Sequence, residues 1–182
     1  MDVLLIYPSQ GQYEIAPNVR ITLGALIPPL GLLYIARMLQ LEGHRVRVID
    51  CSAESSPSDA IQRALSSVDV VGMTVYSGPK ELSISRAIAR MIKNHSPDTK
   101  LILGGPHCFI FPRQALEDHQ ADVCIQGEAE YRIGSLLDAL QGKKPFSSIP
   151  GIVYRKGTRV HSRIHVHSSR TLTPFRFPPV IW

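Results

Sequence analysis

The sequence lacks the features that mark several large classes of protein. Its three cysteines form no CxxC pair and no even-numbered set, which excludes a disulfide scaffold and is typical of a reducing compartment, so we expect a cytoplasmic protein. No GxGxxG follows the first apolar run and no GxxxxGK[ST] occurs, which argues against a dinucleotide fingerprint and a phosphate-binding P-loop. The longest apolar stretch is interrupted by Pro28 and Pro29 and contains Arg37, so we expect neither a signal peptide nor a membrane partner.

The sequence also lacks a basic stripe of the kind that binds nucleic acids. Its net charge is +5 and its isoelectric point is about 9.3. Many of the basic residues lie beyond Arg155, at Lys156, Arg159, Arg163, Arg170 and Arg176. The positive charge is therefore local, and we expect no nucleic-acid partner.

Apolar runs typical of strands alternate with segments of helical periodicity. The apolar runs are residues 2–7, 44–50, 69–77, 100–105 and 121–127. The helical segments are residues 31–43, 58–67, 79–95, 112–118 and 128–142. Strands that alternate with helices pair in parallel, because a right-handed helical crossover is the short route between parallel neighbours. The sequence therefore predicts a doubly wound, five-stranded parallel sheet in a three-layer α/β/α arrangement.

Glycine and small polar residues follow these strands where ligands bind in such sheets, outside the carboxyl ends. The run LILGGPH is notable because a tight turn would require one glycine and this strand ends in two, Gly104 and Gly105. The loop after the first strand has about twenty residues, far more than the usual two to six, and long loops are usually functional. We expect a large ligand or a partner domain at this edge.

The composition changes after Gly142. The segments IVYR and TRVH, with Lys156 and Gly157 between them, predict a β-hairpin, and the residues after it carry little secondary-structure signal. We therefore predict three parts: an α/β domain over 1–145, a hairpin extension over 146–167, and a linker over 168–182.

Five motifs in order and spacing give the chain a resemblance to a known family. The motifs are PPLGLLYIARMLQLEGHRVRVID, VVGMTVYSG, ILGGPH, ADVCIQGEAE and IPGIVYR. Over about residues 1–160 the chain resembles the N-terminal cobalamin-binding domain of cobalamin-dependent radical S-adenosylmethionine (SAM) enzymes. The resemblance implies a flavodoxin-like, Rossmann-like fold. It also implies a corrin ring over the carboxyl ends of the strands and a nucleotide tail beside the sheet.

The resemblance also implies which residues contact cobalamin. Gly104 and Gly105 would leave clearance for a bulky cofactor, so we expect Gly105→Val to block it while the domain stays folded. Ser77 and Gly78 match positions that contact the tail, and Gly127 and Glu128 would border the ring. The full set of expected cofactor-binding residues is Pro8, Ser9, Gln10, Gly31, Tyr76, Ser77, Gly78, Gly104, Gly105, Pro106, His107, Gly127 and Glu128. We expect no metal ligand and no catalytic residue in this chain.

Each of these assignments has a structural alternative. Gly104 and Gly105 would also permit a bend or close helix packing. Ser77 would also serve as a helix cap, and Glu128 at a helix start would favour the helix dipole. His107 suits a contact with an amide side chain of the corrin better than a bond to cobalt.

Two departures from related proteins bear on mechanism. Methionine-synthase-like domains carry DxHxxG after the first strand, whose histidine replaces the lower base on cobalt, whereas this chain reads PSQGQYEIAP. We therefore expect base-off cobalamin with no histidine ligand. The chain also lacks CxxxCxxC, so nothing in it holds an iron–sulfur cluster. We expect a non-catalytic, cobalamin-binding part of a longer methyltransferase-like enzyme, whose radical SAM catalytic domain would carry the 4Fe-4S cluster and S-adenosylmethionine.

Two other functions remain open from the sequence. The first is a docking module that binds no ligand. In that case the paired glycines and the long first loop would be inherited features of the fold without a binding role. The domain would alternatively bind flavin or a nucleotide, although the first loop lacks a Ser/Thr-rich phosphate nest.

Overall fold

A seven-stranded sheet with helices on both faces forms the body of the computed structural model, which describes residues 1–8, 12–16, 19–22 and 28–163. The strands are β1 Asp2–Tyr7, β2 Gln12–Ala16, β3 Val19–Thr22, β4 Arg45–Asp50, β5 Val70–Thr74, β6 Lys100–Gly104, β7 Val123–Ile125, β8 Ile152–Lys156 and β9 Arg159–Arg163. The helices are α1 Leu30–Leu41, α2 Pro57–Leu65, α3 Pro79–His95, α4 Pro106–Ile110, α5 Pro112–Asp118 and α6 Ile133–Leu140, with a 3-10 turn at Phe146–Ser148. The order in the main sheet is β4-β1-β5-β6-β7-β8-β9, and β2 and β3 form a separate antiparallel pair.

Strands β4, β1, β5, β6 and β7 are parallel, which confirms the doubly wound α/β arrangement. Their apolar side chains alternate between two cores. Leu4, Val71 and Leu103 face the core beneath α2, α3 and α5. Leu5 and Ile102 face the core beneath α1 and α6. Burial on both faces explains why β1, β5, β6 and β7 are nearly continuous apolar runs, whereas the edge strand β4 alternates arginine and valine and is partly exposed.

The predicted sheet of five strands is wrong in number, because the C-terminal hairpin continues the same sheet. Strand β8 pairs antiparallel with β7, with Val123 opposite Tyr154 and Ile125 opposite Ile152. This pairing covers backbone groups that would otherwise remain open at the edge of β7. The turn of the hairpin also lies one residue later than predicted, at Gly157 and Thr158.

Helix boundaries differ from the prediction mainly around the ligand edge. Helix α6 begins at Ile133 and not at residue 128, because the chain first makes an irregular turn in which Gly127 has φ +90°. Helix α4 was not predicted, since its five residues are too few for a helical period. Helix α3 spans residues 79–95 as predicted, with Pro79 in its first turn and Lys93 and His95 in its last. No helix within the described ranges is long and apolar enough to cross a membrane.

Candidate functional site

A cleft of about 570 Å³ opens at the carboxyl ends of the parallel strands. Tyr7, Thr74 and Tyr76 line it from the ends of β1 and β5. The start of α1, the turn between β6 and α4, and the loop between β7 and α6 form its other walls. This is the edge at which the sequence places the ligand site.

The two consecutive glycines play different structural roles. Gly105 has φ +98°, and a Cβ there would lie 2.8 Å from Thr74 Cγ2 and 3.0 Å from the Val75 carbonyl oxygen. The chain path itself therefore requires glycine at position 105, so the expectation that Gly105→Val leaves the fold intact is wrong. A Cβ at Gly104 would meet nothing within 4 Å. The fold does not require a glycine at position 104.

The open space at Gly104 lies on the cleft side of the sheet. Gly104 pairs in register with Thr74, which lines the cleft. Gly104 also follows Ile102 by two residues, so both positions face the side of the sheet covered by α1 and α6. A bulky group that enters the cleft would therefore meet bare backbone at the end of β6.

Two tyrosines lie on the strand side of the cleft. The rings of Tyr7 and Tyr76 meet edge to face with centroids 6.1 Å apart, and the Tyr76 hydroxyl donates to the Tyr7 hydroxyl across 3.4 Å. Aromatic edges and phenol groups together suit a ligand that carries both apolar and amide groups.

The loop between β7 and α6 is held in place by Arg132, a residue that the sequence did not single out. Its side chain folds back, and Nη1 donates to the Glu128 carbonyl oxygen across 2.6 Å. Gln126 Nε2 donates to the Phe109 carbonyl oxygen across 3.1 Å, which ties the same loop to α4. Burial lowers the pKa of Arg132 below its ordinary value. An arginine at a helix start carries no sequence signal for this role, because such residues usually lie in solvent.

The structure brings six of the predicted cofactor-binding residues together around the cleft. They are Gly31, Tyr76, Gly105, Pro106, Gly127 and Glu128. Gly104 is not one of the lining residues, but it pairs with Thr74, which is, and the space at its Cβ position is open. Ser9 and Gln10 lie outside the described residues.

Besides Gly104, four described residues of the predicted set do not line the cleft. Pro8 is buried at the end of β1. Gly78 is the N-cap of α3 with φ −67°, and a Cβ there would meet only the flexible end of the Glu81 side chain, so the fold does not require this glycine. Ser77 precedes that cap, and its side chain does not cap the helix.

His107, the last of the four predicted residues that do not line the cleft, lies on the side of the sheet covered by α3 and α5. It is 4% exposed, its ring packs against Phe111 with centroids 5.5 Å apart, and neither ring nitrogen has a hydrogen-bond partner in the described part of the chain. Burial, and then the Arg86 charge, lower its pKa. The side chain therefore contributes no polar atom to the cleft in this structure.

None of the other histidines within residues 28–163 lines the cleft either. His119 Nε2 contacts Ser85 Oγ at 2.9 Å on the α3 side, and His161 stacks on Tyr154 in the hairpin. His44 follows α1 at the opposite edge, where its Nδ1 lies 3.2 Å from the N-terminal amine. His95 lies in the last turn of α3. The described residues contain no group of three or more His, Cys, Asp or Glu that could hold a metal ion.

A comparison with protein-family models identifies the domain. Residues 18–137 match the model of the B12 binding domain. The chain belongs to this family. The match confirms the resemblance drawn from the five sequence motifs, and cobalamin is the cofactor for which the family is named. The cleft of this B12-binding domain fits such a group, because it combines bare backbone at Gly104 with apolar and polar walls.

Relatives and solved structures agree with this assignment. An uncharacterized methyltransferase of Pyrococcus horikoshii is 28% identical over 165 residues, which are 89% of this chain and 34% of the relative. Cytidylyl-2-hydroxyethylphosphonate methyltransferase of Streptomyces wedmorensis is 29% identical over 171 residues, which cover 84% of this chain and 31% of the relative. The radical SAM methyltransferase TsrM of Kitasatospora setae, solved with cobalamin and a [4Fe-4S] cluster bound, superposes with a TM-score of 0.69 at 20% identity and covers 90% of this chain and 28% of its own. The chain thus spans about a third of the length of these proteins.

Proposed function

We propose that this B12-binding domain holds cobalamin in the cleft and presents it to a radical SAM catalytic domain for methyl transfer. The observation that carries the proposal is the cleft itself, which opens at the carboxyl ends of the strands beside bare backbone at Gly104. Bound cobalamin supplies the methyl-carrying chemistry. The chain supplies position, shape and exclusion of water.

The residues around the cleft would have different roles in binding the cofactor. Gly104 would leave room beside the sheet for the nucleotide tail, and the turn at Gly105 and Pro106 would let the chain pass close to the ligand. Gly31 at the start of α1 and the loop of Gly127 and Glu128 would border the ring. Roles for Tyr76, Ser77, Gly78, Pro8, Ser9, Gln10 and His107 remain predictions from the resemblance.

We further propose that cobalt receives no histidine from this chain. The absence of DxHxxG and the placement of His107 away from the cleft both support this. The test is electron paramagnetic resonance of the reduced, cob(II)alamin-bound chain, in which a coordinated nitrogen splits each cobalt line into three. We expect an unsplit spectrum that His107→Ala leaves unchanged. Splitting that is lost in His107→Ala would assign that imidazole to cobalt, and splitting that persists would indicate the retained base or another histidine.

The catalytic domain would cover the mouth of the cleft. Leu30 and Phe109 line this mouth and are 69% and 51% exposed. Large apolar side chains gathered at one edge are typical of a surface that a partner covers. In this division, residues 1–145 bind the cofactor, the hairpin within 146–167 extends the sheet, and 168–182 lead towards the catalytic domain.

Binding itself is tested by mixing the purified chain with hydroxocobalamin and recording the absorption spectrum of the protein peak after gel filtration. We expect the cobalamin spectrum to elute with the protein. A colourless protein peak would support the ligand-free docking module. A parallel mixture with flavin mononucleotide tests the flavodoxin-like alternative, which requires that flavin and not cobalamin be retained.

A further inference from the structure

A second cavity, of about 460 Å³, lies between α6 and the segment that leads into β8. Its polar lining comes from Arg132, Ser135, Lys144 and Ser148. Among the described residues, none that lines the cobalamin cleft also lines this cavity. The cavity therefore has its own set of chemical groups, which the proposed function does not use.

The guanidinium of Arg132 is a buried charge without a direct ion pair, although the Glu128 and Glu130 carboxylates act on it through space. The residue is 7% exposed, and no ion pair within the described ranges includes it. Its Nη1 donates to the Glu128 carbonyl oxygen, whereas Nε has no partner among the described residues. A buried guanidinium that lacks a direct ion pair and a partner for Nε is costly, and an anion in contact with it would reduce that cost.

Lys144 and Ser135 place two further donors at the same cavity. Lys144 Nζ lies 3.3 Å from Ser135 Oγ, so the serine accepts from the ammonium and its own hydroxyl proton remains available to donate. The Asp138 carboxylate lies 3.1 Å from Lys144 and 3.3 Å from Lys143, so one acid faces two ammonium groups. Arg132, Lys143 and Lys144 are balanced by Asp138, Glu128 and Glu130, so the cavity offers converging hydrogen-bond donors and not an excess of positive charge.

We propose that this cavity binds a phosphate-type oxyanion, held by the Arg132 guanidinium, the Ser135 hydroxyl and the Lys144 ammonium. Donors from a helix start, a helix face and a separate segment approach one space from different directions, which suits a tetrahedral group with several acceptor oxygens. The segment of Ser148, Ile149 and Pro150 closes the other side. An occupied cavity would also stabilise Arg132 and, through it, the loop that borders the cobalamin cleft.

The experiment is a titration of the full chain with inorganic phosphate at constant ionic strength, followed by thermal unfolding and by isothermal calorimetry. A ligand that binds only the folded state raises the unfolding temperature in a saturable way. We expect saturable binding of phosphate, and about a tenfold or greater loss of affinity in Lys144→Gln, because charge-assisted hydrogen bonds are the strong ones.

Lys143→Gln is the matched control, because Lys143 is the adjacent residue, loses the same charge and also pairs with Asp138, but does not line the cavity. We expect it to bind phosphate as the wild type does. Equal weakening by Lys143→Gln and Lys144→Gln would reduce the effect to general charge screening and overturn the proposal. Absence of saturable binding to the folded wild type would overturn it as well.

Two further measurements test the shape of the bound anion and the independence of this cavity from the cleft. Ser135→Ala keeps every charge and should still weaken phosphate binding, whereas acetate binding without phosphate binding would contradict the tetrahedral assignment. Lys144→Gln should retain cobalamin by gel filtration. Loss of phosphate binding with retained cobalamin, or the reverse, shows which of the two proposals fails.

Discussion

The two consecutive glycines give a prediction in which neighbouring positions respond in opposite directions to the same substitution. In Gly105→Ala, the backbone conformation at φ +98° and ψ −176° costs about 1–3 kcal/mol and the approach to Thr74 and Val75 costs about 1–3 kcal/mol. The sum is about 2–6 kcal/mol, which lowers the unfolding temperature by about 4–24 °C in a domain of this size. In Gly104→Ala, open space and an ordinary strand conformation predict a gain of about 0.4–1 kcal/mol.

Cobalamin binding should instead be sensitive to substitutions at Gly104. Gly104→Val fills the space beside the sheet without touching the core, so the folded variant should lose cobalamin, and Gly104→Ala should show a smaller loss. Lys100→Val is the control, because it adds the same side chain at the exposed opposite end of β6. Calorimetric unfolding and spectrophotometric titration with hydroxocobalamin measure the two effects separately. An unfolding temperature unchanged by Gly105→Ala would refute the steric argument, and full cobalamin affinity in folded Gly104→Val would refute the placement of the ligand.

The remaining predictions concern stability away from the cleft. Burial lowers the pKa of His107 and of His119 below the ordinary 6.5, so the unfolded chain takes up these protons first. Stability should be full above about pH 6.5 and decrease as the pH falls towards about 5, with a smaller decrease in His107→Gln; urea midpoints that do not change with pH would contradict this. Asp122 Oδ2 accepts from Lys93 Nζ across 2.7 Å and from the Leu101 amide across 2.9 Å. Asp122→Ala should therefore lower the free energy of unfolding in urea by about 1–3 kcal/mol. Asp122→Asn should lower it less, because the amide oxygen of asparagine still accepts from the Leu101 amide. Equal losses in the two variants would rule out a stabilising role for the backbone contact.

Local patterns in the sequence predicted most of the parallel sheet. Residues 2–7 and 79–95 have the predicted bounds, because the first is a continuous apolar run and the second combines helical periodicity with a proline at its start. The attachment of the hairpin to β7 was not predicted, since pairing between Val123 and Tyr154 depends on contacts far apart in sequence. Short helices such as α4 lack enough residues to show a period.

The site was predicted in outline and not in detail. Glycines at strand ends pointed to the edge at which the cleft opens, but the contrast between Gly104 and Gly105 depends on a backbone angle and on the approach of Val75, neither of which a sequence pattern shows. His107 follows the glycines directly, yet the turn of α4 directs it to the opposite side of the sheet. Arg132 was missed because its contact with Glu128 exists only once the loop has folded.

Hydrogen–deuterium exchange of the whole chain, with and without hydroxocobalamin, tests the central claim most directly, because it reports both whether and where the cofactor binds. We expect added protection in the peptides that line the cleft, namely residues 28–35, 74–76, 104–109 and 127–130. Peptides from α2 and α3, which lie away from the cleft, should exchange at unchanged rates. Protection confined to α2 and α3, or no change anywhere at saturating cofactor, would contradict the assignment of this cleft as the cobalamin site.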